Sequence, residues 1–166
     1  FMATFKDYLE NNSLLILHGA LGTEMEALGY DISGKLWSAK YLLEKSEVIQ
    51  ELHETYVAAG ADLITTSSYQ ATLPGLVEAG LTEKAAEQII ALTVRLAKAA
   101  RDKVWAALDE TEKAKRPYPL ISGDVGPYAA YLANGSEYSG DYGQITIKEL
   151  KDFHRPRIQI LLDQGV

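Results

Sequence analysis

Three short apolar runs, each followed by glycine or hydroxyl residues, constrain the fold of this chain more than any other feature. They occupy residues 14–17, 62–66 and 120–122. Each run is continuous rather than alternating, which is typical of a strand buried on both faces. Helical patterns separate the runs, so the order β-α-β-α-β-α predicts a parallel sheet with helices outside it. Two architectures remain open at this point, a barrel and a doubly wound open sheet.

Capping signals locate the helices between these runs. Gly29 closes the helix that follows the first run. We expect N-caps for later helices at the hydroxyl residues Ser46, Thr82 and Thr146, the last within a capping box with a glutamate three positions on. Pro156 lies inside the final helix and should kink it, because proline removes one backbone hydrogen bond.

Composition excludes several classes of function. The 166 residues suffice for one domain, and their formal net charge of −7 argues against nucleic-acid or anionic-membrane partners. No stretch approaches the roughly 20 apolar residues of a membrane span. The first residues do not resemble a signal peptide, so the cytoplasm is the expected location. The chain has no cysteine, which excludes disulfides and thiolate metal sites within it.

The segments after the three runs, residues 18–23, 65–70 and 122–128, are rich in glycine and polar residues. In parallel α/β folds ligands bind at the carboxyl ends of the strands. Glycines let a ligand approach the backbone, and free N–H groups at a helix start suit a carboxylate or phosphate. Tight turns explain any one such loop equally well, but three on one rim favour a binding site. No P-loop or dinucleotide motif is present.

Individual side chains leave alternatives open. The histidines have no metal-ligand spacing; His53 and His154 are expected on helices as surface or packing residues, whereas His18 lies at a strand end. Trp37 could stack on a cationic ligand or pack in the core. A tyrosine cluster could form a lid or, as we slightly favour, its own small core; it comprises Tyr128, Tyr131, Tyr138 and Tyr142.

Six stretches together resemble the homocysteine S-methyltransferase family in its bacterial, S-methylmethionine-using branch. They cover nearly the whole chain in order: residues 19–24, 36–40, 66–72, 125–128, 134–142 and 153–157. The resemblance implies a (β/α)₈ TIM barrel, which decides the open question of architecture. Residues 1–166 would be the N-terminal portion of a single homocysteine-binding barrel domain, with about its first three βα units. A helix–glycine–strand repeat ending near Val166 agrees with that expectation.

The resemblance also implies a reaction and a cofactor. The family transfers a methyl group from S-methylmethionine or S-adenosylmethionine to homocysteine, whose thiolate is bound by a zinc ion on three cysteines. Those cysteines are expected beyond this chain. The fragment alone is therefore expected to bind no zinc, to be inactive and to self-associate. The alternatives are a non-catalytic, self-associating half-barrel module and a related methyltransferase that uses a betaine or folate donor.

Carried over by position, the resemblance assigns roles to eight residues, none of them catalytic or metal-binding. The backbone amides of Leu21 and Gly22 would receive the homocysteine carboxylate, and Thr66 would face the same pocket. Trp37 would line the donor side near the sulfonium. The remaining assigned residues are rim residues: Gly126, Pro127 and Tyr128, together with His18 at the end of the first run.

Two positions depart from the family pattern. His18 stands where the family usually has an aspartate that accepts a hydrogen bond from the homocysteine ammonium. A neutral imidazole offers an acceptor without a full negative charge. His18 is therefore expected to weaken homocysteine binding. Asp124 stands where serine is common, and the sequence alone gives no account of that change.

Overall fold

The computed structural model describes residues 4–11, 14–34 and 36–166, with position 37 described by its backbone alone. The elements in chain order are α1 (Phe5–Asn11), α2 (Leu21–Ala27), a 3-10 helix (Trp37–Lys40), α3 (Tyr41–Glu44), α4 (Ser46–Ala58), β1 (Leu63–Thr65), α5 (Leu73–Glu78), α6 (Glu83–Ala107), α7 (Glu110–Lys113), β2 (Leu120–Ser122), α8 (Tyr128–Leu132), α9 (Ser136–Ser139) and α10 (Ile147–Asp163). The described chain is therefore an α/β structure with few, short strands.

The strands form a parallel sheet, as the sequence predicts. β1 and β2 pair in parallel with Leu63 opposite Leu120. On the other side of β1, Leu17 forms a parallel bridge with Leu63. The Asp62 carboxylate reinforces this edge by accepting a hydrogen bond from the Ile16 backbone N–H at 3.0 Å. Spatial order thus follows chain order, and all three carboxyl ends meet at one edge. The described residues form no closed barrel.

The first apolar run departs from its prediction. Within residues 14–17 only Leu17 makes a bridge, and no strand forms there. Leu14, Ile16 and Leu17 are 64%, 52% and 58% exposed, although burial on both faces was predicted. The reason is position: this run lies at the sheet edge and pairs with one neighbour. An apolar sequence specifies which side chains can be buried, but the covering elements decide whether they are.

Two long helices build the core. α4 packs against α6, and both contact β1. The interface is filled by side chains that are almost or fully inaccessible, such as Ile49 and Leu52 of α4 with Ile90 and Val94 of α6. Leu161 of α10 joins the same cluster. Although α6 has 25 residues, none of the helices in the described ranges has both the length and the apolar character to cross a bilayer.

The capping predictions are confirmed at two sites and wrong at one. The Thr82 side chain accepts a hydrogen bond from the backbone N–H three residues later. Thr146 and Glu149 form the reciprocal capping box. Ser46, by contrast, is the first helical residue of α4, and Lys45 is its N-cap without a side-chain bond. Lys45 has the non-helical backbone (φ −153°) that an N-cap requires, which moves the cap back by one position.

The remaining local signals gave mixed results. Gly29 follows α2 with φ of +86°, in the left-handed region that favours glycine, and closes the helix as predicted. α10 continues through Pro156. The segment predicted as one long loop, residues 128–144, contains the short helices α8 and α9. Such short helices leave little periodicity in a sequence, so pattern alone misses them.

Replacing Ile90 with alanine should lower the free energy of unfolding by about 2–5 kcal/mol, because truncating a buried side chain leaves a cavity. Ile90 is fully buried in the α4–α6 interface, whereas Ile147 is 73% exposed. Ile147→Ala is therefore the matched control, with an expected change within about 0.5 kcal/mol. Urea unfolding followed by circular dichroism measures both. Equal losses in the two variants would contradict this assignment of the core.

Candidate functional site

A cavity of about 640 Å³ opens at the edge where the three parallel segments end. It is lined from the first segment and α2 by His18, Leu21 and Gly22, and from the end of β1 by Thr66. The loop after β2 contributes Asp124. The structure therefore brings together four of the eight residues predicted for the site, at the edge that the parallel order predicts.

The start of α2 presents backbone donors to this cavity. Leu21 and Gly22 occupy its first turn, where N–H groups have no intrahelical acceptor. The N-cap, Ala20, has no side-chain acceptor that could bind them. Tyr56 of α4 holds the turn by donating its hydroxyl to the Ala20 carbonyl at 3.1 Å. A Cβ atom at Gly19 would lie 2.6 Å from the Tyr56 ring, so only glycine fits there without displacing that ring.

A chain of hydrogen bonds ties the ends of β1 and β2 together. Ser68 Oγ donates to the Asp124 carbonyl at 2.6 Å, and the Asp124 N–H donates to Thr66 Oγ1 at 2.9 Å. Thr66 Oγ1 and Ser68 Oγ lie 2.7 Å apart. Since the Ser68 proton is already used, Thr66 must donate to Ser68. The Thr66 proton is therefore used in the hydrogen bond to Ser68. Toward a ligand, the Thr66 hydroxyl can act only as a hydrogen-bond acceptor.

Arg157 of α10 binds both the loop after β1 and the loop after β2. Its Nη1 donates to the carbonyls of Ser68 and Tyr69, both at 3.0 Å, and its Nη2 donates to the Gly126 carbonyl at 2.6 Å. Burial lowers the Arg157 pKa to about 10, which leaves the guanidinium charged at neutral pH. A planar guanidinium can satisfy three carbonyls from one position, which a lysine ammonium on a flexible stem does less well.

His18 enters the cavity as a neutral group. Burial lowers its pKa, and its buried Nδ1 has no hydrogen-bond partner in the described ranges. Its ring packs against Tyr56 and against His53, with centroid distances of 5.3 and 5.7 Å. His53 is fully buried, and burial with the neighbouring His18 lowers its pKa to about 3. Of the two roles expected for His53, packing is therefore correct.

Asp124 is the site residue that sequence reasoning left without a role. Burial raises the pKa of its carboxyl, while the Arg157 guanidinium opposes that rise. Its backbone is fixed on both sides by Thr66 and Ser68. The one available signal was its unusual identity at a strand end, and chain order could not show that it shares a cavity with His18.

The other predicted residues lie elsewhere. Trp37 begins the 3-10 helix, and its side chain lies outside the described part of the structure. Gly126 is not among the cavity's lining residues; its carbonyl is bound by Arg157. Pro127 lines a second, apolar cavity of about 720 Å³ beside α10. Tyr128 packs edge-on against Phe153 at 5.0 Å.

The tyrosine cluster divides. Tyr128 and Tyr131 contact each other and Phe153, which agrees with a small local core. Tyr138 is 87% exposed. His154 also packs against Phe153, at 5.0 Å.

Within residues 4–11, 14–34 and 36–166, no three His, Cys, Asp or Glu side chains are placed to hold a metal ion.

Comparison with known proteins places these features in a family. The family model described as homocysteine S-methyltransferase matches residues 15–166. Homocysteine S-methyltransferase YbgG of Bacillus subtilis is 44% identical over 164 residues, or 99% of this chain and 51% of that protein. The homocysteine S-methyltransferase of Escherichia coli is 44% identical over 157 residues, or 95% and 49%.

The fold agrees with the same comparison. The crystal structure of the homocysteine methyltransferase MmuM from Escherichia coli in its metallated form superposes with a TM-score of 0.85 at 43% identity. The match covers 96% of this chain and 53% of that one. The chain thus spans about half the length of the curated relatives it matches.

Replacing Gly126 with alanine should lower the free energy of unfolding by about 1–3 kcal/mol, because the added Cβ would lie 2.3 Å from the Tyr69 carbonyl oxygen. That contact involves backbone and cannot relax by rotating a side chain. Gly22→Ala is the control: its Cβ would meet Ile32 at an ordinary 3.6 Å, and alanine favours a helix. Thermal unfolding compares the two. A neutral Gly126→Ala would show that the loops are not in close contact.

Proposed function

This chain belongs to the homocysteine S-methyltransferase family, and we propose that the protein transfers a methyl group from a sulfonium donor to the sulfur of homocysteine. The donor is S-methylmethionine or S-adenosylmethionine. One observation carries the proposal: His18, Leu21, Gly22 and Thr66, which the family resemblance implicates, line a single cavity at the strand ends. We propose a (β/α)₈ barrel as the complete fold, with these parallel segments as part of its wall.

Homocysteine binding begins, in this proposal, at the first turn of α2. The uncapped amides of Leu21 and Gly22 donate to the substrate carboxylate, since they face the cavity without an acceptor of their own. Thr66, braced through Ser68 and Asp124, shapes the adjacent wall. These contacts fix one end of the substrate and orient its sulfur toward the donor.

The methyl donor occupies the other side of the rim. By resemblance Trp37 lies near its sulfonium, where an aromatic face attracts a positive charge. By resemblance Gly126, Pro127 and Tyr128 would form a further part of the rim, although none of the three lines the cavity at the strand ends. The homocysteine sulfur, as a thiolate whose proton has been released to solvent, forms a bond to the methyl carbon. The bond between that carbon and the donor sulfur breaks at the same time, and the electron pair of the broken bond stays on the donor sulfur, which leaves as a neutral thioether. Holding the two sulfurs in line supplies most of the catalysis that the protein must provide.

The family's zinc does not fit the residues of this chain. Three thiolates hold that ion by resemblance, whereas this chain has no cysteine. In the part of the chain that the structure describes, no group of three His, Cys, Asp or Glu residues replaces them. No step above depends on the metal. We propose that this chain taken alone has no methyltransferase activity and that its exposed edge, including Leu14 and Leu17, favours self-association.

The function is tested on the full protein that contains this sequence, rather than on this chain alone, by incubating it with homocysteine, zinc and one donor at a time. Methionine formation from S-methylmethionine or S-adenosylmethionine, measured by mass spectrometry, is expected. Product from betaine or a methylfolate would place the protein in a related branch. No product with any donor, together with a stable oligomer by light scattering, would indicate the non-catalytic module instead.

Changing His18 to aspartate should tighten homocysteine binding by roughly tenfold, because an ionised acceptor strengthens a hydrogen bond to the ammonium. His18→Asn is the matched control, since it keeps a neutral acceptor and should not tighten binding. Calorimetric titration of homocysteine measures both variants against the parent. Unchanged affinity in His18→Asp would show that the imidazole does not weaken binding.

A further inference from the structure

We propose that Asp124 binds the ammonium group of the amino-acid thiol substrate and so determines specificity for a substrate with an amino group. This inference rests on the proposed function. It concerns the cavity at the strand ends, which His18 and Asp124 share. The two positions that depart from the family pattern thus lie at one site, although 106 positions separate them in the sequence.

Asp124 is the sole carboxylate among the described residues that line this cavity. Apolar side chains, hydroxyls, an amide and the neutral His18 imidazole complete the lining. An α-amino acid carries an ammonium group at neutral pH, and a buried cation needs a negative partner. Of the lining groups that the structure describes, Asp124 alone offers one.

The Asp124 backbone is fixed, while its carboxylate interacts with the protein through the charge of Arg157 and not through a hydrogen bond in the described ranges. Its N–H and carbonyl are bound by Thr66 and Ser68, which fix the backbone beside the end of β1. Within the described ranges, neither a hydrogen bond nor a salt bridge involves its carboxylate oxygens. Arg157, whose charge acts on this carboxylate, donates its hydrogen bonds to three loop carbonyls instead. A positioned acceptor without a partner is what an incoming ammonium requires.

The electrostatic balance at Asp124 points the same way. Burial raises its pKa more than Arg157 lowers it, so the folded protein disfavours the ionised carboxylate. This destabilisation is fully present above the folded-state pKa and absent below the ordinary aspartate value of about 3.9. A ligand ammonium would supply the missing compensation, while His18, neutral through burial, does not compete for it.

The experiment compares the parent protein, which is the full protein with its unchanged sequence, with its Asp124→Asn variant. Both are titrated calorimetrically with two thiols. One is homocysteine and the other is 4-mercaptobutanoate, which is homocysteine without its amino group. We expect Asp124→Asn to weaken homocysteine binding at least tenfold and to leave 4-mercaptobutanoate binding unchanged. Glu87→Gln, which neutralises an exposed carboxylate on α6, is the matched control and should change neither affinity.

A second variant tests the position of the charge. His18→Asp combined with Asp124→Asn returns one carboxylate to the same cavity from the other strand, and it should recover most of the lost homocysteine affinity.

Thermal unfolding without ligand adds an independent readout: at neutral pH Asp124→Asn should unfold at a higher temperature than the parent, and the gain should vanish in acid. Arg157 and Tyr69 are the other titratable groups that interact electrostatically with this carboxylate, and His18 lines the same cavity.

The possible outcomes distinguish a failure of the inference about Asp124 from a failure of the proposed methyltransferase function. If the parent binds homocysteine and Asp124→Asn binds it equally well, the inference is overturned and the function stands. If Asp124→Asn loses both ligands and unfolds at a lower temperature, Asp124 is structural and the inference is again overturned. If the parent binds neither thiol and forms no methionine, the proposed function fails and takes this inference with it.

Discussion

Three hydrogen bonds from Arg157 hold the candidate site in shape. They draw the loop after β1 and the loop after β2 onto one buried guanidinium. Without that donor, three carbonyls close to the core would have no partner, at a cost of about 1–3 kcal/mol for each buried group left unsatisfied. The tight contact of Gly126 with the Tyr69 carbonyl is possible because glycine has no Cβ atom there, and Arg157 binds both loops. α10 therefore shapes the cavity from behind.

Some polar groups at the cavity form hydrogen bonds within the protein, and others are left available to a ligand. Thr66 lines the cavity and Ser68 is buried beside it, but Thr66 donates its proton to Ser68 and Ser68 donates its proton to the Asp124 carbonyl. The Asp124 carboxylate is the opposite case, since its ionised form is disfavoured by burial and it has no hydrogen-bond partner within the described chain. A group with a raised pKa and a fixed backbone, facing a cavity, is typical of a binding residue rather than a structural one.

The sequence predicted the fold where a signal is local. Thr82, Thr146 and Gly29 each mark a helix end through their own backbone or side-chain chemistry, and the structure confirms all three. Ser46 failed because Lys45 adopts the N-cap backbone that a serine would normally take. The exposure of Leu14 and Leu17 was not predictable, since burial depends on which elements cover a strand. Half of the predicted site residues line the cavity, as parallel strands require.

What the sequence determined by itself is the parallel order of the three apolar segments, the helix ends at Gly29, Thr82 and Thr146, the family and the edge of the sheet where a site would lie. These follow from periodicity, capping chemistry and motifs read along the chain. Only the tertiary structure decided that His18 and Asp124 share one cavity, that Thr66 is committed to the rim, and that Arg157 supports both loops. Apart from the Thr66–Ser68 contact, those facts depend on distances between residues 31 to 106 positions apart. No local sequence pattern encodes such distances, because they depend on how α10, β1 and β2 pack against one another.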